Sequence, residues 1–139
     1  MEIKLKKVLR KDWDYILKLR NESYENFYVQ DKPLTKIEHY SYLKKQKMNK
    51  NFFQWIILKN NIYVGYVRIL NSDVSIMIDK RFQNKKIGTV VLKFIEIEAK
   101  KNNISKLTAM ILIKNKSSQK IFLKNDFKLK QWFLEKEIN

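Results

Sequence analysis

Cysteine is absent from this 139-residue chain, which removes disulfides, thiolate metal sites and a covalent cysteine intermediate from consideration. Glycine occurs twice and proline once, and no low-complexity linker, internal repeat or composition break divides the chain. A single domain over residues 1–139 with one core is therefore expected. No apolar run approaches the roughly 20 residues that span a bilayer, so no membrane partner is expected. Met1 to Lys7 alternates charged and apolar residues, which is not the pattern of a secretion signal, and a cytoplasmic location follows as an expectation.

Positive charge is in excess: 30 Lys and Arg stand against 14 Asp and Glu, a formal net charge of +16. That balance suits an anionic partner, whether nucleic acid, a membrane surface or a phosphate-rich small molecule. It equally suits a lysine-rich surface that only solvates the fold. The sign alone does not choose.

Ile3, Leu5, Val8 and Leu9 among lysines read as a first strand, after which Asp12 is placed to cap a helix carrying Trp13, Ile16, Leu17 and Leu19. Thr35 and Glu38 form a Thr-x-x-Glu capping box for a second helix with Ile37, Tyr40 and Leu43 as its buried stripe. Phe53 to Leu58 and Ile62 to Leu70 read as strands joined at Lys59, Asn60 and Asn61, where Asn accepts positive φ in a tight hairpin. Asp73 to Asp79 alternates, with Val74, Ile76 and Ile78 on one face and Ser75 and Met77 on the other. The period then turns helical through Ile87, Val90, Val91, Phe94, Ile95 and Ile97, and strand alternation resumes at Leu107, Ala109, Ile111 and Ile113. A last helix near Ser117 to Lys124 and short strands near Phe127 to Lys130 and Trp132 to Glu137 complete the order β-α-α-β-β-β-α-β-α-β-β.

Gly88 lies where the fourth strand has ended and the long helix begins. The segment Gln83-Asn84-Lys85-Lys86-Ile87-Gly88-Thr89 would present unpaired N–H groups at a helix N-terminus, suited to phosphate. An ordinary strand-to-helix turn would use the same residues. A second segment, from Asn115 to Phe127, follows the next strand.

Together these segments resemble the GCN5-related N-acetyltransferase (GNAT) superfamily. Gln83, Ile87 and Gly88 fit its Gln/Arg-x-x-Gly-x-Gly/Ala loop, and Asn115, Phe122, Lys124 and Phe127 fit its later motif. The resemblance implies an α/β fold with a mixed, mostly antiparallel sheet, parallel strands 4 and 5 splayed apart, and about four flanking helices. It implies acetyl-CoA as cosubstrate, no metal, and direct transfer to an amine. Met77, Ile78 and Asp79 would flank the pantetheine arm, with an N–H near Met77 or Ile78 facing the thioester carbonyl. Gln83, Asn84, Lys85, Lys86, Ile87, Gly88 and Thr89, with Asn115, Ser118, Phe122 and Lys124, would contact the rest of the cofactor. Two departures stand out: Lys86 replaces the first motif glycine, and Phe122 replaces the family's usual tyrosine, the proton donor to the leaving thiolate. Asp126 also replaces a glycine, at a site read as a turn.

Asp73, Glu38 and His39 are candidate bases, with Ser75 placed to hold a water. His39, the single histidine, is equally read as a structural residue or a lining of the acceptor pocket. Leu19-Arg20-Asn21, Ile37, His39 and Val67-Arg68-Ile69 resemble the branch that acetylates nucleotide-linked amino sugars, as in the pseudaminic acid pathway. Arg20, Asn21, Tyr28, His39 and Tyr42 would then bind the substrate. Alternatives are acetylation of a protein N-terminus or lysine, and a noncatalytic acyl-CoA sensor or nucleic-acid-binding module. Nucleic acid is not the expected partner of an enzyme of this kind, and either a monomer or a homodimer is compatible with the sequence.

Overall fold

The computed structural model describes residues 2–27, 30 and 32–139. Four strands, β1 (Ile3–Lys7), β2 (Phe52–Lys59), β3 (Ile62–Leu70) and β4 (Asp73–Ile78), form one antiparallel sheet in the order β1-β2-β3-β4. Four helices, α1 (Trp13–Glu22), α2 (Lys36–Gln46), α3 (Ile87–Lys101) and α4 (Lys116–Lys124), cover it. Among the described residues no helix is long and apolar enough to cross a membrane.

Strand alternation separates two cores. On one face Ile56, Tyr66 and Met77 pack with Trp13, Ile16 and Leu19 of α1 and Leu43 of α2. On the other, Ile57, Val67, Ile69 and Val74 meet Ile87, Val91, Leu92, Ile95 and Ala99 of α3. Each such aliphatic side chain contributes about 1.5–3 kcal/mol when fully buried. The hairpin turns follow local chemistry. Asn60 and Asn61 hold φ of 50° and 67°, as the first hairpin requires, and Asn71 and Ser72 repeat this at 49° and 72° between β3 and β4. A bulge between Ile57 and Leu58 leaves Tyr63 and Tyr66 packed on the same core.

The Thr35 capping box forms as expected. Thr35 Oγ1 accepts from the Glu38 amide at 3.2 Å and Glu38 Oε1 accepts from the Thr35 amide at 3.0 Å. The stripe of α2 differs: Ile37 is 80% exposed, and His39 and Leu43 are the buried residues. Ile37 sits in the first turn, where no neighbouring element reaches it, whereas His39 faces α1. In α3, Ile97 is likewise half exposed and Ala99 takes the buried position one turn beyond Ile95.

Asp12 precedes α1 but makes no side-chain cap to it. Its buried carboxylate accepts from the Leu9 amide at 2.8 Å, the Tyr63 hydroxyl at 2.6 Å and Lys6 Nζ, joining β1, the α1 entrance and β3.

The largest correction concerns the end of the chain. The expected fifth strand is reduced to one parallel bridge, Asp73 to Thr108, with Val74 N–H donating to Thr108 O at 2.8 Å and Thr108 N–H to Ser72 O at 2.9 Å. Leu107, Ala109 and Ile111 still lean on the α3 core, but Ile113 is 82% exposed. The strands expected at Phe127 to Lys130 and Trp132 to Glu137 do not form. A segment that leaves β4 after one bridge offers no ladder on which they could register.

Burial pushes the Asp12 carboxyl upward, but the hydrogen bonds from Lys6, Tyr63 and Leu9 outweigh it and hold the group below its ordinary value. A depressed carboxyl stabilises the fold above its unfolded pKa, and that contribution is lost as pH falls through the folded one. Stability in urea titrations is expected to decline from about pH 5 downward. Asp12→Asn is expected to flatten that slope, and an unchanged slope would assign it to other carboxylates.

Candidate active site

The free edge of β4 is the first component. Asp79 N–H donates to Val64 O at 2.9 Å, and the register pairs Tyr66 with Met77 and Arg68 with Ser75. Antiparallel alternation therefore turns the amides of Ser75, Met77 and Asp79 toward β3, and those of Ile76 and Ile78 toward the outer edge. Of the two positions considered for polarising a carbonyl, Met77 is thus committed to the ladder and Ile78 faces the gap. The Ile78 carbonyl accepts from Gln83 Nε2 at 3.1 Å. Gly65 lies opposite Ile78, and a Cβ there would stand 2.6 Å from the Met77 carbonyl oxygen. This glycine permits the close approach of β3 to the end of β4.

The loop after β4 is the second. Asp79 is 4% exposed and bound to Arg81 through Nη2 at 2.9 Å and the backbone amide at 3.0 Å, which caps a single turn at Lys80–Phe82. Its carboxylate, held low by Arg81, serves the turn. Asn84 and Lys86 then adopt left-handed backbone, with φ of 61° and 63°. Lys86 is the N-cap of α3 and provides no side-chain cap, and the first turn contains no acidic residue. The first amides of α3 are therefore left for another acceptor. Gln83, Asn84, Lys85 and Lys86 are exposed, and Thr89 is partly so. An anion fits this terminus on charge and on hydrogen-bonding capacity.

Gly88 also faces a neighbouring helix. Its φ is not positive, and a Cβ there would meet Ile121 Cδ1 of α4 at 2.9 Å. Close packing of α3 on α4 therefore favours a residue without a Cβ at this position. In α4, Asn115 Oδ1 accepts from the Ser118 amide at 3.2 Å as N-cap, while Gln119 Nε2 donates to the carbonyls of Leu112 and Ile113. Phe122 is 5% exposed and meets Phe127 edge-on at 4.9 Å, so it belongs to the core. Lys124 is exposed and Asp126 turns the chain at φ 66°, as read from the sequence.

The third component is a cavity of about 170 Å³ on the opposite face of the sheet, lined by Ile16, Arg20, His39, Tyr42, Tyr66 and Arg68 among others. His39, 2% exposed, donates from Nε2 to the Trp13 carbonyl at 3.0 Å, and burial lowers its pKa, so it is neutral. Asn21 is occupied on both sides of its amide by the Leu34 backbone, at 2.8 and 3.0 Å. Tyr28 lies outside the described residues. Asp73 is half-buried beside Arg68, whose Nη1 lies 3.7 Å from Asp73 Oδ2. Burial raises the Asp73 pKa against that attraction. Ser75 stands opposite Arg68 on β4. Tyr66, Gln30 and Gln54 join this cluster without having been singled out in the sequence: Tyr66 donates to Gln54 Oε1 at 2.8 Å, and Gln30 Oε1 accepts from Arg20 Nε at 2.9 Å.

An uncapped helix terminus beside an open strand edge is the arrangement implied by the resemblance. Residues 2–128 match the family profile described as an acetyltransferase (GNAT) domain. The chain belongs to the GNAT family. It is an acetyl-CoA-dependent N-acetyltransferase, and acetyl-CoA is its cosubstrate. Structures similar to this GNAT domain include a domain from Methanocaldococcus jannaschii DSM 2661, 27% identical with a TM-score of 0.81, covering 91% of this chain and 88% of that one. A predicted acetyltransferase with acetyl-CoA from Clostridium acetobutylicum is 18% identical with a TM-score of 0.73, covering 98% and 96%. Spermidine N-acetyltransferase from Vibrio cholerae, in complex with CoA and spermine, is 13% identical with a TM-score of 0.76, covering 88% and 78%.

Two substitutions separate backbone geometry from packing in this GNAT loop. Lys86→Gly should raise stability by up to about 1 kcal/mol in urea titrations, because glycine adopts the left-handed conformation without the Cβ penalty. A loss of stability would show that the lysine stem compensates for the strain. Gly88→Val should destabilise by about 1–3 kcal/mol through the clash with Ile121. Unchanged stability would mean that α4 moves aside freely.

Proposed function

We propose that residues 1–139 form one acetyltransferase domain that transfers acetyl directly to the primary amine of a small molecule, best read as an amino sugar linked to a nucleotide. The observation that carries this reading is the open β4 edge lying between an uncapped α3 terminus and an arginine-lined pocket. Backbone amides from Gln83 to Thr89, with Lys85 and Lys86, hold the diphosphate, and the outward groups of Ile76 and Ile78 hold the pantetheine arm as an added strand. Bound acetyl-CoA supplies an acetyl group activated as a thioester.

The Ile78 N–H faces the thioester carbonyl as the donor to its developing charge. Asp73 stands five residues from Ile78 along β4, about 16 Å at the strand rise, so it takes the ammonium proton through a chain of waters that Ser75 helps to hold; its raised pKa suits a base working nearer neutrality. Gln83 must release the Ile78 carbonyl for the arm to pair there. With Phe122 buried among α3 and α4, the departing thiolate takes its proton from solvent. Arg20 and Tyr42 contact the acceptor, while His39 and Asn21 hold the pocket walls in place.

Calorimetry with acetyl-CoA is expected to give a saturable heat, and assays of free thiol to give turnover with amino-sugar nucleotides above peptides and buffer. Absence of heat at millimolar cofactor would reject the cofactor assignment, whereas peptide turnover exceeding that of every amino sugar would reject the acceptor.

A further inference from the structure

We infer that the acceptor presents a compact oxyanion, carboxylate or phosphate, which is clamped between Arg20 of α1 and Arg68 of β3. This rests on the acetyl-transfer reading above for its chemical context, but the site itself is built independently of the cofactor cleft. Both guanidinium groups line the same small cavity. Arg20 gives its Nε–H to Gln30 and lies over the Phe27 ring at 5.1 Å, and among the described residues it has no carboxylate partner. Its pKa is depressed by burial first, and the nearby Arg68 charge adds to that effect. Arg68 donates from Nη1 to the Asp73 backbone carbonyl at 3.3 Å and forms an ion pair with the Asp73 carboxylate at 3.7 Å.

Asp73 offsets one of these two cations, and the second, partly withdrawn from water beside the first, is costly unless a further anion is shared between them. Among the described residues, the other groups lining the cavity do not supply it. The Glu38 carboxylate accepts from the Thr35 amide at the helix cap. His39 is neutral, and the Tyr66 hydroxyl is committed to Gln54. A guanidinium pair recognises a planar carboxylate or a phosphate through paired N–H groups. The volume of about 170 Å³ admits one such group and not a nucleotide, whose base and ribose would remain outside. Because Arg68 stands opposite Ser75, the anion is anchored one strand away from the β4 edge. Cationic amines such as polyamines would be repelled.

The test titrates inorganic phosphate and acetate calorimetrically into the folded protein, with and without saturating CoA, and repeats this for Arg20→Gln and Arg68→Gln. The wild type should bind at least one anion in the presence of CoA, and each variant should weaken it by about tenfold or more, the scale of a charged hydrogen bond. Variants whose thermal unfolding matches the wild type keep the comparison independent of folding. In thiol-release assays, kcat/KM for an amino sugar phosphate or an amino acid should fall about 10- to 100-fold in Arg68→Gln. The fall should be at least about tenfold smaller for the matching unphosphorylated sugar or amino acid amide, which reports only the change that Arg68→Gln makes at its neighbour Asp73. Preference between phosphate and carboxylate identifies the source of the anion. No anion binding beside CoA, or equal losses on charged and uncharged acceptors, would overturn the clamp. Failure of acetyl transfer itself would appear as missing CoA heat and thiol release while anion titration still decided the clamp.

Discussion

The parallel pairing between β4 and the segment after α3 ends after the single Asp73–Thr108 bridge, and the remaining architecture depends on that early parting. Had the ladder continued, the outward amides of Ile76 and Ile78 would have been consumed by a neighbouring strand. Instead the sheet keeps an edge whose hydrogen-bonding groups must find water or a ligand. The neighbouring α3 terminus has the same need, since its N-cap lysine offers no side-chain acceptor. A cofactor with a diphosphate and an amide-bearing arm suits both needs at once.

The cost of keeping this region open is visible in the backbone. Asn84 and Lys86 both sit at positive φ, and the lysine occupies a conformation in which glycine is the unstrained choice. That strain is sustained because Ile87, Val91 and Ile95 anchor the helix immediately behind it. Gly65 and Gly88 serve close approach: one brings β3 against the Met77 carbonyl, the other seats α4 against α3.

On the opposite face, electrostatics are organised by burial more than by net charge. The chain carries +16, yet most lysines lie in water, where screening reduces their influence. Arg20 and Arg68 differ because they share a cavity. Asp12 shows the complementary case, a buried carboxylate surrounded by three donors that joins β1, the α1 entrance and β3.

Features built from near neighbours were legible in the sequence. The Thr35–Glu38 box, the Asn60–Asn61 turn, the two faces of β4 and the amphipathic α3 each follow from residues a few positions apart, whose geometry the backbone dictates. The family motif located the α3 terminus in the same way. Tertiary contacts decided the rest. Asp12 looked like a cap because its partner Tyr63 is remote in sequence, and the packing of Gly88 on Ile121 was hidden because Ile121 belongs to another helix. His39 acquired its place from the Trp13 carbonyl, and Arg68 met Arg20 only when α1 settled on β3. The terminal strands failed for the same reason: alternation records a tendency to pair, but a strand exists only where another edge is present to receive its amides.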